Sequence, residues 1–220
     1  HPLPEGHRFP MEKYNLLPEQ LLYEGTIQSS QLFRPEPISE ESILLLHESV
    51  YWNSLKNNTL DRLAIRRTGF PISPKLVHRE RVIMQGTIDC VQHALQYGVA
   101  MNIAGGTHHA FVDRGEGFCL LNDIALAAVH YLQLFLHHKV LIIDLDVHQG
   151  NGTASIFRDE PSVFTFSMHG GKNYPMIKEH SDLDVELEDG IDDSTYLRLL
   201  NHHLEILFDV VQPNLVLFQS

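Results

Sequence analysis

Lys139-Val140-Leu141-Ile142-Ile143-Asp144-Leu145-Asp146-Val147-His148-Gln149-Gly150-Asn151-Gly152 is the stretch on which the reading of this chain turns. An almost continuous apolar run, closed by acids and followed by glycines, is the pattern of a strand buried on both faces of a parallel sheet, here predicted over 139–147. Outward from it, 99–104, 162–167 and 214–219 read as further strands. Between them 123–136, 152–157 and 194–211 read as helices, and before them a long helix runs from Ser73-Pro74 to Gly98. Strands alternating with helices predict an α/β fold of three layers, a mainly parallel sheet with helices on both faces. Residues 1–40, broken by Pro2, Pro4, Pro10, Pro18, Pro35 and Pro37, predict wrapping structure with short helices, and Ser39 is a candidate N-cap for a helix start before Ile43.

The chain has 220 residues, 43% of them hydrophobic and 20% charged, enough for one α/β domain with a full core. That composition excludes a disordered, collagen-like or disulfide-stapled chain. A formal charge of -12 has the wrong sign for holding phosphate backbones, so no direct nucleic-acid partner is expected. Two cysteines only, Cys90 and Cys119, predict reduced thiols in the cytoplasm. The apolar stretch 125–136 is too short to span a bilayer of about 30 Å, and the first residues have neither the charge nor the apolar run of a signal peptide. No initiator Met is present and the fourth predicted strand stops at the last residue, Ser220. A single domain over 1–220, incomplete at both ends and lacking its C-terminal part, is therefore the expectation.

Three segments carry chemistry. If the strand continues past Asp144, then Asp144, Asp146 and His148 alternate onto one face. Two neighbouring carboxylates are costly without a cation or hydrogen-bond donors, and oxygen and nitrogen ligands suit Zn²⁺, Fe²⁺ or Mn²⁺. The plainer alternative is that these acids cap a helix and neighbouring amides. Gly105-Gly106-Thr107-His108-His109-Ala110-Phe111 places two histidines at a strand end, where open α/β sheets gather their sites. Of the fifteen histidines, the pairs His137-His138 and His202-His203 lie on predicted helices or at a helix end, where solvation accounts for them. In 113–123 the glycines permit close backbone approach, Phe118 can form an apolar wall, and Asn122 or Asp123 can cap the following helix. Cys119 there reads as a small buried hydrophobe rather than a nucleophile.

Together GGTHHAF (105–111), DRGEGFC (113–119), DLDVHQGNG (144–152) and FTFSMHG (164–170) resemble the zinc-dependent histone deacetylases and their bacterial relatives, the class IV-like bacterial branch foremost. The resemblance runs from His1-Pro2 and His7-Arg8 to the end of the chain. It implies an arginase-like open sheet, Zn²⁺ with Fe²⁺ as the alternative ion, and a structural K⁺. The implied reaction is hydrolysis of the amide joining an acetyl or other acyl group to a lysine side chain, on an acylated protein or a small acylated amine. By the same resemblance Asp146 and His148 are two of three zinc ligands, and His108 and His109 are the catalytic pair. Asp144 holds His108 and, with Ser167 and the Met168 carbonyl, lines the potassium site, while Gly117, Phe118 and Tyr174 form the substrate tunnel. Asn151 stands where some members carry the aspartate that partners the second histidine. A neutral amide there leaves His109 free to act as base near neutral pH. The family's third zinc ligand and its oxyanion tyrosine fall after the fourth strand, beyond Ser220. The 220 residues alone are therefore expected to be inactive and to bind zinc weakly, and a catalytically silent relative acting as a binding module is the alternative expectation. A binuclear-manganese ureohydrolase of the same fold would want an aspartate where this chain has Gly150.

Overall fold

The computed structural model describes residues 3–220, so His1 and Pro2 lie outside the described residues. Four strands, β1 (Val140–Asp144), β2 (Val163–Gly170), β3 (Leu183–Leu187) and β4 (Leu215–Gln219), form one wholly parallel sheet in the order β3-β2-β1-β4. Every residue of the central β1 is buried, as its unbroken apolar run requires. In register, Asp144 stands opposite Ser167 on one side and Gln219 on the other.

The helices are α1 (Lys13–Tyr23), α2 (Glu40–Ile43), α3 (Ser49–Lys56), α4 (Arg62–Thr68), α5 (Pro74–Tyr97), α6 (Asp123–Leu134), α7 (Asn151–Phe157) and α8 (Asp193–Val211). Side chains predicted to start helices do so: the Ser39 hydroxyl accepts from the Ser42 amide, Ser73 from Leu76, and Asn122 from Ala125. Pro74 sits in the first turn of α5, and Gly98 ends it with φ of +92°. Alternation along the strands divides the core in two. Val140 and Ile142 join Val163, Leu215 and Leu217 against residues of α3, α5 and α6, while Leu141 and Ile143 join Phe166 and Met168 beneath Leu207 and Val211 of α8. The three layers are thus as predicted.

Two predicted strands need correction. Residues 99–104 form no strand: Val99 and Met101 are exposed, and Asn102 turns the chain. Its side-chain amide donates to the Ile83 carbonyl and the Thr87 hydroxyl, its side-chain oxygen accepts from the Ala104 amide, and its carbonyl accepts from the Gly105 amide. The central strand stops at Asp144 rather than running to 147. β3 was not predicted.

Candidate active site

Asp144 ends β1 and turns both carboxylate oxygens to work. One accepts the Nδ1–H of His108 at 2.6 Å, and the other accepts the Asp146 amide at 3.1 Å. The next carboxylate repeats the device, because Asp146 Oδ1 accepts the His148 amide at 2.7 Å and lies 3.0 Å from His148 Nδ1. Asp146 and His148 are therefore brought together by side-chain-to-backbone turns, not by strand alternation, which corrects the reason for expecting them on one face. The chain then passes so close to Asp144 Oδ2 and His108 Nδ1 that a Cβ at Gly150 would collide with them. Asn151, the first residue of α7, accepts the Nδ1–H of His109 at 2.7 Å.

The histidine pair arrives on a loop held by Asp123. The amides of Gly106 and Thr107 and the hydroxyls of Thr107 and Thr87 all donate to this one buried carboxylate, at 3.1, 2.8, 2.6 and 2.6 Å. Asn122 rather than Asp123 caps α6 through its side-chain oxygen, while its side-chain Nδ2–H donates to the Ala110 carbonyl. The rings of His108 and His109 are 4.0 Å apart, both buried. Burial opposes charge on each, yet the two move apart. On His108 the Asp144 carboxylate more than offsets burial and raises the pKa. On His109 burial and then the neighbouring His108 charge prevail over the Asn151 hydrogen bond and push the pKa down to about 3.

Glu116 and Cys119 exchange backbone hydrogen bonds at 2.9 and 2.8 Å around a tight turn whose central residues, Gly117 and Phe118, have φ of +56° and +65°. A side chain at Gly117 would meet the His109 ring. Phe118, the residue for which this backbone is costly, is fastened by its amide to the Thr68 carbonyl. Tyr174 approaches from the other side, its ring edge-on to His109 at 5.0 Å and its hydroxyl donating to Glu116 at 2.6 Å. A cavity of about 540 Å³ takes in His108, His109, Asp146, His148, Phe118 and Tyr174.

The structure thus gathers Asp144, Asp146, His148, Asn151, His108, His109, Gly117, Phe118 and Tyr174 into one place. Ser167 and Met168 lie next to Asp144 across the β1–β2 pairing, with the Ser167 hydroxyl engaged by His169 Nδ1 at 2.9 Å. Cys119 is buried at the back of the turn, and burial raises its thiol pKa, which leaves it the inert hydrophobe expected. Asp146 Oδ1 and His148 Nδ1 are an oxygen and a nitrogen donor, partly open to the cavity and 3.0 Å apart. Two donors of one tetrahedral Zn²⁺ stand roughly 3.4 Å apart, so the pair fits a divalent ion after a small spread. Among the described residues no group of three or more His, Cys, Asp or Glu side chains converges on one metal position. Glu116, Gln149 and the loop-holding role of Asp123 were not anticipated. Gln149 is buried and exchanges hydrogen bonds with the Glu179 backbone at 2.7 and 2.9 Å, which ties the 144–152 loop to the segment following Tyr174.

The family described as histone deacetylase domain matches residues 7–220. The chain belongs to the histone deacetylase family. It is 48% identical over 219 residues to an uncharacterized protein of Picosynechococcus sp., covering all of this chain and 73% of that one. It is 32% identical over 224 residues to histone deacetylase 2 of Arabidopsis thaliana, covering 97% of this chain and 58% of that one. A crystal structure of a histone deacetylase homolog complexed with SAHA superposes with a TM-score of 0.85 at 27% identity, over 99% of this chain and 64% of that one. The homolog from Aquifex aeolicus gives 0.83 at 26% identity, over 100% and 64%. The family's α/β fold is thus present here. Among the described residues no helix is long and apolar enough to cross a membrane.

Proposed function

We propose that this chain supplies the histidine pair, the substrate walls and two zinc ligands of a zinc-dependent deacylase, which removes acetyl or related acyl groups from lysine side chains or other small acylated amines. The observation that carries the reading is two adjacent imidazoles, one tied to a carboxylate and one to a neutral amide, lining one cavity with Asp146 and His148. A Zn²⁺ held by Asp146 and His148 would polarise the acyl carbonyl and acidify water beside it. Fe²⁺ is the alternative ion for the same donors.

His109 gives its Nδ1–H to Asn151, so Nε2 is its basic nitrogen. With its pKa pushed down to about 3 it is unprotonated at neutral pH and can take a proton from the attacking water. So weakly basic a site returns that proton readily to the lysine nitrogen as the C–N bond breaks. His108, whose pKa the Asp144 carboxylate raises against burial, keeps its Nδ1–H on that carboxylate and turns Nε2 towards Asp146, 4.0 Å away. Phe118 and Tyr174 wall the lysine methylene chain and exclude water, with Gly117 letting the turn close on His109. Asp144 and Ser167 are register partners and Met168 follows Ser167 in β2, which supports a structural K⁺ there. Two free, buried cysteines support a reducing, cytoplasmic setting.

The test is turnover of an acetyl-lysine peptide together with metal analysis. In a chain that also carries the third zinc ligand and the oxyanion tyrosine, turnover that requires zinc and falls at least a hundredfold in His109→Ala is the expected result, with stoichiometric zinc lost in His148→Ala. One tight zinc equivalent retained in His148→Ala sinks the metal assignment. Peptide binding without turnover would identify the silent binding module instead.

A further inference from the structure

One contact at the cavity ties together its two aromatic walls and is accounted for by none of the roles above. Glu116 precedes the positive-φ pair Gly117-Phe118 in the turn closed by the reciprocal Glu116–Cys119 hydrogen bonds. That turn cannot drift. The Gly117 amide donates to the Arg67 carbonyl and the Phe118 amide to the Thr68 carbonyl, at 3.1 and 3.0 Å, which pins both central residues to the end of α4. Glu116 therefore leaves the same fastened unit that carries the Phe118 wall. Its Oε1 accepts the Tyr174 hydroxyl at 2.6 Å across 58 residues of chain, and its Oε2 lies 3.6 Å from Arg114 Nε. Arg114 is itself stacked on Phe111, with its guanidinium carbon 3.5 Å from the ring centroid. The carboxylate is thus held from both sides. Tyr174 by contrast belongs to an exposed segment in which Met176 and Ile177 are more than four-fifths exposed. Its ring meets the imidazoles of His109 and His148 at 5.0 and 6.2 Å and stands at 87° to the first, while among the described residues its hydroxyl reaches out to Glu116 alone.

We propose that Glu116 is a positioning residue of the site. By accepting the Tyr174 hydroxyl it transfers the rigidity of the Phe118 turn to the opposite wall and holds the Tyr174 ring against His109, which sets the slot for an unbranched acyl-lysine chain. The slot rests on the proposed deacylase reading; the clasp between Glu116 and Tyr174 does not. A charge-assisted hydrogen bond at a partly exposed rim is worth roughly a fivefold change in an equilibrium.

Two readouts separate the clasp from that reading. In the full chain, the ring signals of His109, assigned by their loss in His109→Gln, are followed by proton–carbon NMR without substrate. Glu116→Ala and Tyr174→Phe are expected to move them towards their position in Tyr174→Leu, whereas Glu116→Gln, which keeps an acceptor, leaves them in place. With zinc and an acetyl-lysine peptide, Glu116→Ala and Tyr174→Phe are each expected to raise KM about fivefold, with a smaller change in kcat. The Glu116→Ala/Tyr174→Phe double variant is expected to be no worse than either single. His109 signals unmoved in Glu116→Ala overturn the clasp, and so do multiplicative KM effects of about twenty-five-fold in the double variant. Absence of turnover in a wild-type chain that also carries the third zinc ligand and the oxyanion tyrosine overturns the deacylase reading and leaves the clasp to be decided by the His109 signals.

Discussion

His108 and His109 are neighbours in sequence with opposite shifts, and the difference lies in one atom of each partner. Asp144 offers His108 a charge, whereas Asn151 offers His109 only a dipole. Replacing Asn151 with Asp changes that atom alone. A carboxylate at 2.7 Å stabilises the imidazolium, so the His109 pKa rises, by one unit or more on the scale of such contacts. A base must be unprotonated to act, so the acidic limb of the kcat/KM profile is expected to move to higher pH by about that amount. An unmoved limb would mean that His109 does not carry the rate-limiting proton. These residues were legible in the sequence because each sits inside a short cluster with glycines and a second ionisable group. Glu116 and Asp123 were not, since their partners lie elsewhere in the chain: Tyr174 is 58 residues from Glu116, and Thr87 is 36 from Asp123. No spacing rule links such pairs.

Elements were legible where one signal dominated. Continuous apolar runs located β1, β2 and β4, a cap with periodicity located α5, and the stretches between the strands located α6 and α8. The prediction over 99–104 failed because Asn102 offers the backbone turn bonds that an apolar count ignores. β3 was passed over although Leu183, Val185 and Leu187 alternate with acids, the mark of a half-covered edge strand. His47 shows how elements are joined without any such signal. It is buried, its Nδ1 donates to the Phe111 carbonyl and its Nε2 accepts from the Asn122 amide, both at 3.1 Å, so only the neutral ring satisfies both ends. Burial pushes its pKa down to about 4, against backbone hydrogen bonds that raise it. A folded pKa below the unfolded one means stability that is whole above about pH 6.5 and lost as pH falls towards 4. Between pH 6.5 and 5 the loss is about 2 kcal/mol. Glu80, pushed up to about 7 by burial, acts with the opposite sign, its contribution being lost as pH rises from about 4.5 through 7. The gap between wild type and His47→Gln isolates the histidine. Denaturant titrations are expected to show that gap shrinking by about 2 kcal/mol from pH 6.5 to 5, and a constant gap would show that His47 is charged in the fold.

At the scale of the molecule, two cores share one thin wall. β1 sends Val140 and Ile142 into the layer of α5 and α6 and Leu141 and Ile143 into the layer of α8, so neither core closes without the other's strand residues. The site stands at the end of that wall, where Asp144 is both the last residue of β1 and the anchor of His108. Peeling α8 away would expose Leu141, Ile143, Phe166 and Met168 together, a loss too large for the sheet to survive alone. The chain is therefore expected to unfold as one unit despite its two clusters. Trp52, the single tryptophan, is buried in the first cluster and reports on that side only. Leu207 belongs to the second cluster and Leu126 to the first, both buried, and each truncation to Ala costs about 2–5 kcal/mol. If the wall couples the layers, Leu207→Ala lowers the midpoint of the Trp52 fluorescence transition as Leu126→Ala does, and the far-ultraviolet circular dichroism transition coincides with it in both variants. Leu207→Ala shedding a separate helical phase while the Trp52 midpoint stays put would show that α8 folds as an independent layer. Asp144 would then be held by the first core alone.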